Sequence, residues 1–354
     1  MCSRLIALLA LLLATCAAAS AQPFPGKPVR ILVGFTAGSS IDVVVRIIGQ
    51  KLSEMWGQPV IIDNRLGAGG NVAADAVAKA APDGYTLLSP NAGLAISAAF
   101  YRKLPYDALK DLRPITQIAA QPHVLAVNNE LPANSVKELI ALAKARPGQL
   151  SFASGGPGNS DHMAGELFKY MAGIDIVHVP YKGGNQALND TISGQVAMYF
   201  PGVPVALPMI KAGKVRAFAT TGPKRLPALP DVPTLAEAGV PGYQVILWYG
   251  LLGPAGLSND VTAKIHADVA RVLKMPDVQE RLAGLGVEPV GSAPEAYAAF
   301  LRSEIAKWDK VKKATGLCVN RPAVDDQWRR LTTTHSSSTE RASSRSTLTP
   351  PTRD

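Results

Sequence analysis

The sequence predicts an α/β architecture built as two successive lobes, and three observations carry that prediction. Short apolar runs alternate with segments of helical periodicity, the strand-to-helix turns are rich in glycine and serine, and the alternation restarts near residue 135. At 354 residues the chain exceeds one average domain, and its apolar fraction of 47% supports a sizeable core.

The elements follow in order. Val29 to Phe35 is a near-continuous apolar run, the pattern of a strand buried on both faces. Residues 41–56 carry Val44, Ile47, Ile48, Leu52 and Met55 as a helical stripe. A strand at Val60-Ile61-Ile62, a glycine loop and an Ala-rich helix after Asn71 make the next cycle, and Tyr85 to Ser89 reads as a third strand. Ser135-Val136-Lys137-Glu138 is a capping box opening a helix that stops at Pro147-Gly148. Then come a strand at Leu150 to Ser154, a helix at 160–172, a strand at Ile176 to Val179, a helix from about Gln186 and a strand at Val196 to Phe200. Such cycles predict parallel sheets covered by helices, with polar loops gathered at the carboxyl ends of the strands, where open α/β sheets bind ligands. Residues 293–313 form a last amphipathic helix with Tyr297, Phe300, Leu301, Ile305 and Trp308 on one side.

The ends of the chain read differently. Arg4, the apolar stretch Leu5 to Ala14 and the small residues Ala19-Ser20-Ala21 have the form of a cleavable signal peptide over 1–21. The apolar stretch is too short to span a bilayer of about 30 Å. A lipid anchor at Cys16 is the competing reading. Cys2 and Cys16 fall inside this segment, so Cys318 alone remains, which excludes an internal disulfide framework and a cysteine-based zinc cluster. From Thr332 onward Ser, Thr and Arg dominate, and a tail over 321–354 lacks the apolar residues to offset its ordering entropy. The formal charge of +9 comes from scattered basic residues with no aromatic-interleaved stripe, which argues against nucleic acid as a partner.

Two turns carry the candidate chemistry. In the first, Phe35 to Asp42, Gly38 permits a close turn and Ser39 or Ser40 can cap the following helix, leaving N–H groups and a positive helix end as an anion site. In the second, Ser154 to His162, Gly155 and Gly158 allow a carboxylate to approach the backbone, and Ser160 is a plausible N-cap with His162 in the first turn. An ordinary capped connection has the same appearance in either place. The pair Ser160 and His162 also suggests an exported hydrolase, but no G-x-S-x-G elbow occurs and no third member is evident. Gly67-Ala68-Gly69-Gly70-Asn71 lacks dinucleotide spacing because Val72 stands where the third glycine is needed. Lys182, in the turn after Tyr181, pairs with an anion or faces solvent. His123, His178, His266 and His335 show no metal-ligand spacing, so neither a metal nor a cofactor is expected.

At these loops the chain resembles the Bug-type substrate-binding proteins of tripartite tricarboxylate transporter systems, over about residues 23–317. The matching stretches are Phe24-Pro25 through Pro28-Val29-Arg30, Asn64-Arg65 with Gly67 to Asn71, Ala81-Pro82-Asp83-Gly84-Tyr85-Thr86-Leu87-Leu88, His162 through Gly165-Glu166-Leu167-Phe168, Val179-Pro180-Tyr181-Lys182-Gly183, and Ile210 to Ala217. The resemblance implies a type II periplasmic binding protein fold: two α/β lobes joined by hinge strands, with a ligand cleft between them. It divides the chain into lobe one at 22–122, lobe two at 123–244 and a return to lobe one at 245–320. It implies ligand contacts from Phe35, Gly38, Ser39, Ser40 and Asn91 in the first lobe. From the second it implies Ser154, Gly155, Gly158, Asn159, Ser160, His162, Tyr181 and Phe200. The expected protein is a periplasmic monomer without catalysis. It would capture a small carboxylate and pass it to integral-membrane transporter subunits, or serve a sensor kinase in signalling.

Two departures from the family pattern fall near this site. Ile41 stands where the family has a hydroxyl residue, and Pro201 follows Phe200 where an Asp commonly holds a ligand amine. Both point away from an amino acid and towards a di- or tricarboxylate or an aromatic carboxylate.

Overall fold

The structure, a computed structural model, describes residues 24–316. The signal segment at 1–21 with Cys16, the thiol Cys318 and the tail from 321 lie outside the described residues. Among the described residues no helix is long and apolar enough to cross a membrane.

Strands β1 (Val29–Val33), β2 (Val60–Asn64) and β3 (Thr86–Ser89) lie parallel; β1 and β3 bury most of their residues, while β2 is the edge strand, half-buried with Ile61 exposed. The chain then runs through β4 (Leu112–Pro122) directly into β5 (Val124–Val127), with His123 alone between them. Next come β6 (Ser151–Ser154), β7 (Val177–Pro180), β8 (Met198–Tyr199) and β9 (Arg216–Thr220), then β10 (Ile246–Pro254) and β11 (Glu288–Pro289). They form two sheets, ordered β11-β4-β10-β3-β1-β2 and β7-β6-β8-β5-β9. The first sheet therefore draws on both ends of the described chain and the second on its middle. The two are joined at His123 and through the segment between Thr220 and Ile246.

Both sheets are mixed, which corrects the expectation of parallel sheets. β10 runs antiparallel to β3 and β4, and β5 runs antiparallel to β8 and β9. The physical reason is the connectivity. A parallel neighbour requires a crossover, usually helical, and the chain passes between the sheets here without one. The parallel part of each sheet is the part whose βαβ rhythm is visible in the sequence.

Helix positions follow the expected periodicity closely. Ser40–Trp56 buries Val44, Ile47, Ile48 and Leu52 and ends at Gly57 in the left-handed conformation. Ser135 caps Val136–Ala145 by accepting from the Glu138 N–H, while the Glu138 carboxylate accepts from Asn134 N rather than closing the box on Ser135 itself. Pro294–Thr315 buries Tyr297, Leu301 and Trp308. Trp248 of β10 stands edge-on to Tyr297 and Phe300 and donates to Glu304. Where β1 ends, Gly34 lies against Gly70. A Cβ at Gly34 would sit 2.4 Å from the Gly70 Cα, so only glycine lets the 67–70 turn close over the strand end.

Candidate functional site

A small cavity of about 50 Å³ lies where loops of the two sheets meet. Its lining places the two candidate turns opposite each other: Ser39 and Ser40 from the first, Asn159 and Ser160 from the second. Gly184 and Gly202 add two more helix starts, those of Gly184–Ile192 and Val203–Lys211. Four helices thus direct their first turns at one space. The N–H groups of a first turn have no helical acceptor, and each helix adds a positive partial charge at that end. No Lys or Arg is among the lining residues, so the anion-attracting field there comes from backbone and hydroxyls.

Two of the hydroxyls are unsatisfied. Ser39 is the N-cap of its helix, yet its side chain makes no capping bond, and its buried Oγ has no partner; the same is true of the buried Thr36 Oγ1. An orphaned buried hydroxyl costs about 1–3 kcal/mol, and a ligand oxygen supplies the missing partner. Asp42 draws the turn together by accepting from Gly38 N at 2.8 Å and from Arg46 and Asn64. Burial works to raise its carboxyl, but these partners together hold it below the usual value.

The second turn is arranged differently. Asn159, not Ser160, is the N-cap, and its Oδ1 accepts from Ser160 N. Asp161 accepts from Gly155 N, His162 N and the Tyr199 hydroxyl at 2.8, 2.8 and 3.0 Å. With no cation beside it, burial pushes this carboxyl up to about 6 despite those bonds. Gly156 N donates to Ser154 Oγ, which is bonded to His178 Nε2 at 2.6 Å, and Gly158 N donates to His162 Nδ1. The His162 and His178 rings stack with centroids 3.9 Å apart, and Phe152 continues the stack. Burial pushes the two imidazoles down to about 3 and about 4, so both are neutral near pH 7.

Of the expected contact residues, the cavity brings together Phe35, Ser39, Ser40, Asn91, Asn159 and Ser160. Gly155 and Tyr181 line a larger opening of about 410 Å³ beside it, which shares Phe35 and Thr36 and includes Tyr101 and Lys182. Gly38 lies near Asn185, whose side chain donates to Ala37 O at 3.2 Å and ties the loops of the two sheets. Asn91 makes a second tie by donating to Asn159 at 3.3 Å. Ser154, Gly158 and His162 stand behind the glycine loop rather than in the lining. Phe200 is wholly buried against Phe168. The His162 ring nitrogens face Gly158 and Glu166, not Ser160, so the suggested nucleophile and base are not paired.

The lining also includes residues that local pattern did not mark: His123, Tyr199, Gly202, Leu247 and Tyr249. Ile41 and Pro201, the two departures noted in the sequence, line it as well.

The sequence profile of the family described as "Tripartite tricarboxylate transporter family receptor" matches residues 44–317. Protein BugT of Bordetella pertussis is 36% identical over 319 residues, covering 89% of this chain and 98% of BugT. The structure of R. palustris Rpa4515 with adipate superposes with a TM-score of 0.81 at 38% identity, covering 83% of this chain and 99% of that one. MatC from Rhodopseudomonas palustris with bound malate gives 0.78 at 35% identity, covering 81% and 99%.

Proposed function

The chain belongs to the tripartite tricarboxylate transporter receptor family, and on that premise we propose that it is a periplasmic solute-binding protein that captures a small organic carboxylate between its two sheets. One observation carries the reading above the others: four helix N-termini and two orphaned hydroxyls face a single cavity that has no cationic side chain. Such a site suits the delocalised charge of a carboxylate, which accepts several N–H and O–H bonds at once. Solved relatives with adipate and malate bound support the ligand class.

The ligand is a di- or tricarboxylate or an aromatic carboxylate rather than an amino acid. Pro201 offers no charge for an ammonium, and the oxygens of Asp161 already accept three hydrogen bonds. Capture proceeds by closure of lobes 22–122 with 245–320 against 123–244, hinged at His123 and at the return near residue 245. The arrangement described is closed: a Cβ on Gly202 would meet Ser40 Oγ at 2.5 Å, and one on Gly183 would meet Thr36 at 2.6 Å. The closed monomer then delivers its ligand to the transporter's integral-membrane subunits, without turnover. A sensor kinase is the alternative recipient, and the two are separated by which of them the liganded protein binds.

The test is a thermal-shift screen against adipate, malate, benzoate and a set of amino acids. A ligand at about 100 times its Kd adds about 2.7 kcal/mol of stability, a readily measured rise in Tm. A shift confined to carboxylates supports the reading. A response to amino acids alone, or to nothing in the panel, overturns it.

A further inference from the structure

The cavity wall carries two opposed features. Four helix N-termini and the hydroxyls of Thr36 and Ser39 favour an anion there, yet Asp161 stands in the same lining, 3% exposed, with a carboxylate of its own. A cavity of about 50 Å³ brings any anion inside it close to every group of that lining. Like charges removed from water repel far more strongly than they do in solvent. Two carboxylates that share such a site are relieved when one of them takes a proton.

Nothing around Asp161 cancels its charge. On its own helix, His162 gives it a backbone N–H, while the His162 ring turns to Gly158 and Glu166 and stacks on His178 of β7. The Tyr199 hydroxyl of β8 donates to it at 3.0 Å, and Tyr249 of β10 acts on that phenol. Gly155 N donates from the preceding loop, against which the N–H of Gly184 also lies. Across the cavity, burial keeps the His123 ring neutral near pH 7. The cations are engaged elsewhere: Arg46 with Asp42, Lys169 with Asp175, and Lys182 in the outer opening. Each donor that reaches Asp161 is therefore neutral, and burial pushes its carboxyl up to about 6. The unliganded site thus still holds the negative charge at neutral pH, within reach of protonation.

We infer that Asp161 couples capture to a proton: the ionised ligand binds the form of the protein whose Asp161 carboxyl is protonated. Each anion captured near or above neutral pH then draws one proton from solvent onto that carboxyl. The ligand enters and stays as a carboxylate, and the O–H on Asp161 is the one bond made. Acidity becomes a control on affinity, with capture strengthened as pH falls and release favoured as it rises. The inference rests on the carboxylate-capture reading and concerns the regulation of that same site.

The experiment is calorimetry on the full protein with adipate, malate and benzoate, repeated in buffers of different ionisation enthalpy to count the protons taken up. The wild type takes up about one proton per ligand near pH 8, and its Kd rises about tenfold per pH unit between about 6.5 and about 8.5. Ordinary carboxyls are ionised throughout that range, so the ligands bring no proton of their own. Asp161→Asn, which removes the charge and keeps the shape, takes up none, and its Kd is flat over the same range. If the asparagine variant fails to fold, Tyr199→Phe serves: losing one donor to the carboxylate moves the fall in affinity to higher pH. Wild-type binding with no proton uptake, an uptake that Asp161→Asn leaves unchanged, or a pH profile that Tyr199→Phe does not move overturns this inference and leaves carboxylate capture standing. No binding of any of the three acids overturns both.

Discussion

The two serine-bearing turns that face each other across the cavity look alike in sequence and differ in how their polar groups are satisfied. In the turn at Ser39, the hydroxyls of Thr36 and Ser39 are left without partners, and the one carboxylate, Asp42, is matched by Arg46. In the turn at Asn159, nearly every side chain is engaged in holding the loop itself: Asn159 caps, Asp161 ties Gly155, Ser154 ties Gly156 and His162 ties Gly158. The first turn is open towards a ligand, while the second is a preformed wall whose shape depends on a buried, uncompensated carboxylate. Equal composition therefore does not mean equal role. Disturbing the second turn should cost stability, and disturbing the first should cost binding.

The largest effect is expected at Asp161. Asp161→Ala strands the N–H groups of Gly155 and His162 and the Tyr199 hydroxyl in the interior. A loss of about 3 kcal/mol is expected in chemical denaturation. A loss under about 1 kcal/mol would mean the loop does not depend on this carboxylate. Ser39→Ala should do the opposite. Its Oγ has no partner to lose and is costly unpaired, so the ligand-free protein should be as stable as the wild type or more stable by up to about 1–3 kcal/mol, while the Kd for the best carboxylate rises about tenfold. Equal effects of the two substitutions on stability and on affinity would erase the contrast between the turns.

The smallest effect is a difference in pH dependence. Asp161 has a folded-state value of about 6, above its ordinary 3.8, so the folded protein holds this proton more tightly than the unfolded chain. Its contribution to stability is therefore lost as pH rises between 3.8 and about 6. Asp42 is shifted the other way, and its contribution is lost only as pH falls below 3.8. His162 and His178, buried and neutral, withdraw stability as pH falls from 6.5 towards their values of about 3 and about 4. The Asp161 term must accordingly be read as the difference between wild type and Asp161→Asn. That difference should shrink as pH rises through 3.8 to about 6, and a flat difference would place the carboxylate in a more solvated setting.

Much of this site was legible in the sequence because its donors are local. A capping residue after a buried strand marks a helix start, and Ser39, Ser40, Asn159 and Ser160 all reach the cavity. What local pattern misses is the wall built by chain crossing. Tyr249 and Leu247 lie on β10, more than a hundred residues from Ala119 and Gln121 of β4, and only the antiparallel pairing of β4 with β10 brings them together. His123 has no neighbouring histidine at ligand spacing, so its place in the cavity wall, buried beside the Phe200 and Pro201 backbone, is set by tertiary structure alone. The same crossing explains why the parallel cycles were readable and the long antiparallel strands were not. Ser154 and His162 were legible as belonging to the loop but not as its support, since a residue behind a glycine turn has the same sequence signature as one in front.

The central claim, that a carboxylate is held by helix N-termini between the two sheets, is tested most directly by a crystal structure of the protein with the acid that gives the largest thermal shift. The account predicts carboxylate oxygens within about 3 Å of Ser39 Oγ and of first-turn N–H groups on both sides of the cavity. A ligand resting instead in the outer opening, with its carboxylate paired to Lys182, would contradict it.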